Sequence, residues 1–191
     1  MFKKVKNIPV PINPENDISI AWTNYLDYLN GNLTKKWFNG TIRAIWLETE
    51  FPSLYIDHWE EIFNQIDKDY FMTESENKSY QELSDNLIVY RGISIPYVEN
   101  FEYLNILENF HNLDNAKYCG LSWTTNYDKA VMFAKRSPGS YENDSAQKIL
   151  LVITAEIEKG NIFAYLDGQE ESEIIIKREY VSPKKIKLIK E

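Results

Sequence analysis

Leu87-Ile88-Val89-Tyr90-Arg91-Gly92 is where the chain changes character. Four consecutive apolar or aromatic residues, including β-branched Ile88 and Val89, read as a strand, with Arg91-Gly92 at its end. On the N-terminal side the apolar residues recur at three and four: Ile18, Trp22, Tyr25, Leu26 and Leu29, then Trp37, Ile42, Ile45 and Trp46, then Tyr55, Ile56, Trp59, Ile62, Phe63 and Ile66. That is the stripe of amphipathic helices, three or four of them, with Pro52 and Ser53 opening the third. Thr73-Glu74-Ser75-Glu76-Asn77-Lys78-Ser79 is polar and aperiodic and reads as a loop. On the C-terminal side the period shortens. Lys148 to Ala155, Ile162-Phe163-Ala164-Tyr165, Ile174-Ile175-Ile176 and Lys185 to Ile189 are β-rich runs separated by Gly, Asn, Asp and Pro. Helical patterns over Val98 to Phe110 and Tyr127 to Lys135 interrupt them. The expected fold class is α+β: a helical N-terminal region, residues 1–85, packed on a mixed or antiparallel sheet over residues 86–191, together one compact domain.

Composition narrows the function classes. With 191 residues, 43% of them hydrophobic, the chain can bury a sizeable core. Lys plus Arg number 21 against 29 Asp plus Glu, a net charge of -8. Bulk electrostatics thus oppose nonspecific binding to nucleic acid or anionic membrane. Cys119 is the single cysteine, so there is no internal disulfide, and His58 and His111 do not make a zinc-ligand cluster. No metal is expected. An apolar run such as Ile149 to Ile153 falls far short of the roughly 20 residues of a membrane span. Met1-Phe2-Lys3-Lys4-Val5-Lys6 is basic, but Pro9, Pro11 and Pro14 follow where a signal peptide needs an apolar core. A soluble, cytoplasmic monomer is the expectation.

Three segments carry the chemistry. The first is Tyr90-Arg91-Gly92: a guanidinium at a strand end can hold two phosphate oxygens with its planar fork, and Gly92 lets a ligand approach the main chain. By itself, Arg-Gly after a strand is also an ordinary turn. The second is Gly120-Leu121-Ser122-Trp123-Thr124-Thr125. Ser122 and Thr124 lie two apart in an extended segment and share a face. A helix follows that presents Phe133 and Arg136 close together, although a capped amphipathic helix with Phe133 in its core would look the same. The third is Glu171-Ser172-Glu173-Ile174-Ile175-Ile176, in which strand period puts both carboxylates on one side. Two like charges held this close cost free energy, which use explains better than folding, although a solvated acidic turn has the same composition.

Taken in this order the three segments resemble the Arg-Ser-Glu class of mono-ADP-ribosyltransferases, and the catalytic subunits of the binary actin-modifying toxins in particular. Phe133-Ala134-Lys135-Arg136 is similar to the end of that family's helix, and Glu171-Ser172-Glu173 to its Glu-x-Glu motif. The resemblance covers residues 86–189. It departs at Trp123 and Thr124, which replace the second and third residues of a Ser-Thr-Ser segment, and at the insertion 137–147, expected to be a loop near the pocket. The resemblance implies a fold of the ADP-ribosyltransferase type, with NAD as substrate and no metal. It places Arg91 and Arg136 on the pyrophosphate, and Gly92, Ser122, Thr124 and Phe133 around nicotinamide and its ribose. Ser122 would orient Glu173, Glu173 would bond the ribose hydroxyl, and Glu171 would engage an incoming guanidinium. The activity implied is transfer of ADP-ribose to a protein arginine, in a toxin or phage-type effector. Hydrolysis of NAD, transfer to nucleic acid, and a noncatalytic NAD-binding interaction module are the alternatives.

Overall fold

A computed structural model of the chain describes residues 17–49, 55–96, 120–136, 148–167 and 172–189. Among them are six α-helices and one six-stranded antiparallel sheet, an α+β arrangement. The chain forms two compact units, residues 1–77 and 78–191. The expected opening of the third helix at Pro52 and Ser53, the helix over Val98 to Phe110, the insertion 137–147 and Glu171 lie outside the described residues.

The first unit contains α1 (Asp17–Leu29), α2 (Lys35–Glu48), α3 (Ile56–Phe63) and α4 (Lys68–Phe71). Their apolar stripes meet in an aromatic core. Trp46 stands edge-on to Trp59 and Phe63, with ring centroids 5.0 and 4.9 Å apart, and Phe63 does the same to Phe71 at 5.7 Å. Polar groups fix how the helices enter and leave. Thr34 caps α2 by accepting the Trp37 N–H. The buried Asn39 side chain accepts the Asp67 N–H at 2.8 Å, and Asp67 in turn caps α4 at Asp69 and pairs with Lys35.

Thr73 to Ser79 is not a loop. It begins α5 (Glu74–Glu82), the helix in which the division between the units falls. Thr73 Oγ1 accepts the Glu76 N–H and Glu76 Oε2 accepts the Thr73 N–H at 2.7 Å, a reciprocal capping box. Thr-x-x-Glu is a sequence signature of a helix start, and the absence of an apolar period concealed it. The other Glu76 oxygen accepts from Arg43 Nη2 at 2.9 Å, while Arg43 Nη1 donates to the Phe71 carbonyl. Burial acts to raise the Glu76 pKa, but the hydrogen bonds from Arg43 and Thr73 outweigh it and hold the carboxyl below its ordinary 4.5. Because the folded-state value is depressed, this contribution to stability is complete above the ordinary value and is lost as pH falls through the depressed one. Glu76→Gln should therefore cost on the order of 3 kcal/mol at neutral pH, with the cost shrinking in acid, as urea denaturation at pH 7 and at about pH 2.5 would report. Equal losses at both pH values would show that the charge contributes nothing.

In the second unit the strands are β1 (Asn86–Pro96), β2 (Ser122–Thr124), β3 (Lys148–Glu158), β4 (Ile162–Leu166), β5 (Glu173–Ile176) and β6 (Ser182–Ile189). They lie in the order β4-β5-β2-β1-β3-β6, and every pairing is antiparallel. One helix, α6 (Tyr127–Arg136), packs on this sheet. Lys159, in the short turn after β3, donates to the Gln81 and Leu83 carbonyls, and Tyr80 donates to the Lys159 carbonyl. These bonds tie the end of α5 to the sheet.

Arg91-Gly92 does not end a strand. β1 runs on to Pro96, paired with β3 along its whole length from Asn86↔Glu158 to Pro96↔Lys148. The physical reason lies in the residues that follow, since Ile93 and Ile95 continue the alternation of Leu87 and Val89 and are buried on the same face. With Trp123, Leu151, Ile153, Ala155 and Ile174 they make that face an apolar layer, into which Arg91 alone of this strand brings a charge.

Candidate active site

Residues directly opposite in an antiparallel pair share a face, so the registers read out one row across the sheet. Leu166, Glu173, Thr124, Tyr90, Thr154 and Lys185 follow one another on β4, β5, β2, β1, β3 and β6. At a strand spacing of about 4.8 Å, Glu173 stands roughly 10 Å from Tyr90 with Thr124 between them. Ser122, two residues back along β2 and opposite Ile175, lies on the same face. This face is the one opposite the apolar layer.

α6 covers part of it, and Gly92 explains how closely. A Cβ on Gly92 would overlap the Ala130 carbonyl oxygen and lie 2.6 Å from the Ala134 nitrogen. Ala130 and Ala134, one helical turn apart and fully buried, complete the contact. Gly92 is thus required for the approach of a helix backbone, whatever its main chain does toward a ligand. The helix begins where β2 ends: Thr124 Oγ1 accepts the Asn126 N–H, and Asn126 Oδ1 accepts those of Asp128 and Lys129. Tyr127 then meets Tyr90 edge-on at 5.4 Å, and Lys187 Nζ lies 5.1 Å from the Tyr127 ring centre. Phe133 is half-buried farther along α6, and Arg136 is exposed in its last turn, where a cation is favoured by the helix dipole.

Arg91 is placed differently. Alternation along β1 sends its side chain to the side of Trp123, away from Ser122, Thr124 and Glu173. From there Nη1 donates to the Ser122 carbonyl at 2.6 Å, and the guanidinium covers Gly120 so closely that a Cβ there would lie 2.8 Å from Nη1. Trp123 Nε1 donates to the Gly120 carbonyl at 2.9 Å. Arg91 and Trp123 together hold the entry to β2, which sets where Ser122 stands. The structure therefore brings Ser122, Thr124 and Glu173 together, with Phe133 and Arg136 on the helix that lies over their face. It reaches Ser122 from Arg91 through the backbone. Gly120, Tyr90 and Tyr127 had no role in the sequence reading, and only Gly92 with the Ala130-x-x-x-Ala134 spacing offered a signal of close packing.

Asn86, Glu156, Glu158, Asn161, Glu179 and Ser182 line a polar cleft at one end of the sheet. Lys184 pairs with Glu156 and Lys177 with Glu179 there, so two of its three carboxylates are neutralised by lysines. Among the described residues there is no group of three or more His, Cys, Asp or Glu side chains able to hold a metal, and no helix long and apolar enough to cross a membrane. No family model, curated protein or solved structure matches the chain.

Proposed function

We propose that the chain is a mono-ADP-ribosyltransferase of the Arg-Ser-Glu class, which cleaves the nicotinamide-ribose bond of NAD and passes ADP-ribose to a protein arginine. The observation that supports this most is the register of β1, β2 and β5, which groups Glu173 with Ser122 and Thr124 on the face that α6 borders. An α+β chain with a single antiparallel sheet is compatible with the ADP-ribosyltransferase type of fold.

The chemistry follows from where charge develops. Loss of neutral nicotinamide from the cationic dinucleotide leaves positive charge on C1 of the ribose and its ring oxygen. A fixed carboxylate beside that sugar interacts more strongly with the transition state than with the ground state, which is the condition for catalysis. Glu173 takes this role at the start of a strand paired on both sides. Ser122 orients Glu173, and Phe133 packs on nicotinamide. Arg136 binds the pyrophosphate, and Arg91 acts from the other side of the sheet through its hold on the Ser122 carbonyl. Glu171 holds the acceptor guanidinium, whose attack on C1 forms the new N–C bond as a proton is given up. In this reading the protein is a cytoplasmic toxin or phage-type effector.

Product analysis with agmatine as acceptor tests the transfer step. Wild type should form ADP-ribosyl-agmatine in preference to free ADP-ribose, and Glu171→Gln should lose the adduct while keeping much of the slower hydrolysis, since water needs no anchor. An unchanged product ratio in Glu171→Gln, or no adduct from the wild type, would leave NAD hydrolysis or a different acceptor such as a nucleic-acid base.

A further inference from the structure

Ser172 is the one non-glycine residue with positive φ among the described residues, at 48°. It immediately precedes Glu173. A serine is disfavoured in the left-handed region, so something in the surroundings must hold it there. Two side-chain contacts at the mouth of the β4–β5 hairpin bear on it. Leu166↔Glu173 is its last ladder pair, and Asp167 and Ser172 are the first residues beyond it on either side. Across this mouth Ser172 Oγ donates to Asp167 Oδ1 at 3.3 Å, and Tyr165 donates its hydroxyl to the same oxygen at 3.5 Å. One carboxylate oxygen therefore gathers both sides of the hairpin at the residue whose backbone conformation determines how the chain enters β5.

We infer that Asp167 and Ser172 are positioning residues for Glu173: the bonded left-handed turn fixes the direction from which β5 starts and so the placement of the Glu173 carboxylate beside Thr124. The inference rests on the proposed NAD-cleaving role of Glu173. If Ser172 relaxes to negative φ, the peptide plane ahead of Glu173 rotates, and the first ladder pair of β5 loses the geometry that aims its side chain. The carboxylate remains and NAD still binds, but the developing sugar cation is met from the wrong position.

Steady-state kinetics of nicotinamide release separate these effects. Ser172→Val, whose β-branched side chain opposes the left-handed conformation, and Asp167→Ala should each lower kcat roughly ten- to a hundredfold, with KM for NAD within about twofold of wild type. Ser172→Asn, which accepts the left-handed conformation and keeps a polar side chain, should restore kcat to within a few-fold of wild type. A loss of packing alone would not be rescued in this way, and all assays would be run below the melting temperature of each variant. Wild-type kcat in Ser172→Val, or Ser172→Asn as impaired as Ser172→Val, would overturn the positioning role while leaving the NAD reading in place. A wild-type chain that releases no nicotinamide would overturn the reading itself and this inference with it.

Discussion

Glu173→Gln is expected to lower nicotinamide release from NAD by at least about a hundredfold while the fold survives. The change replaces one carboxylate oxygen with an amide of the same shape, so Glu173 keeps its ladder positions opposite Thr124 and Leu166. What disappears is the negative charge beside the developing sugar cation, and removing one preorganised electrostatic partner of a transition state typically costs about two to three orders of magnitude in rate. Binding of NAD should change far less, because the charge counts most after the bond has begun to break. Circular dichroism and the melting curve should overlay those of the wild type. Turnover near the wild-type rate in a well-folded Glu173→Gln would remove Glu173 from the reaction.

Gly92→Ala is expected to destabilise the second unit by about 3 kcal/mol or more, a fall in melting temperature of roughly 6 to 12 °C. Glycine within a strand is ordinarily a weakness, and alanine there usually stabilises by several tenths of a kcal/mol. Here the sign reverses, because the added methyl would overlap the Ala130 carbonyl oxygen and crowd the Ala134 nitrogen, and both are backbone atoms that no rotamer change can move aside. The helix must back away from β1, taking Phe133 and Arg136 with it, so NAD turnover should fall together with stability. Gly160→Ala is the matched control. Nothing lies within 4 Å of its added methyl, and its stability should stay close to that of the wild type. A Gly92→Ala protein as stable as Gly160→Ala would mean that α6 does not press on β1 in solution.

The α+β class and the places of most elements were legible because they rest on period. Trp22, Trp46, Trp59 and Phe63 repeat at helical spacing and are buried, and Val89, Ile93 and Ile95 alternate on the face they bury. Where period gives no signal, the reading failed. α5 has few apolar residues, and its start is written only in the Thr73 and Glu76 capping box. Local propensity treats glycine as a break, so the strand reads as ending at Arg91-Gly92. Ile93 and Ile95 just beyond it carry the alternation on, whereas the reason the position must be glycine is a helix 38 to 42 residues further along, at Ala130 and Ala134, which no local window contains. The candidate site divides along the same line. That Ser122 and Thr124 share a face follows from counting by two. That Glu173 is paired with Thr124, and Thr124 with Tyr90, is a matter of register between strands far apart in sequence. The side to which Arg91 turns was decided by the same register, and its bond to the Ser122 carbonyl followed from it.

The account stands or falls on whether the chain breaks the nicotinamide-ribose bond. Proton NMR of NAD incubated with the purified wild-type protein, without added metal, follows that bond directly, because free and ribose-linked nicotinamide give separate ring resonances. The account predicts free nicotinamide accumulating over many turnovers, with ADP-ribose or its arginine adduct in equal amount, and no accumulation above background with Glu173→Gln. NAD that stays intact, with agmatine and a cell extract supplied as acceptors, would contradict it.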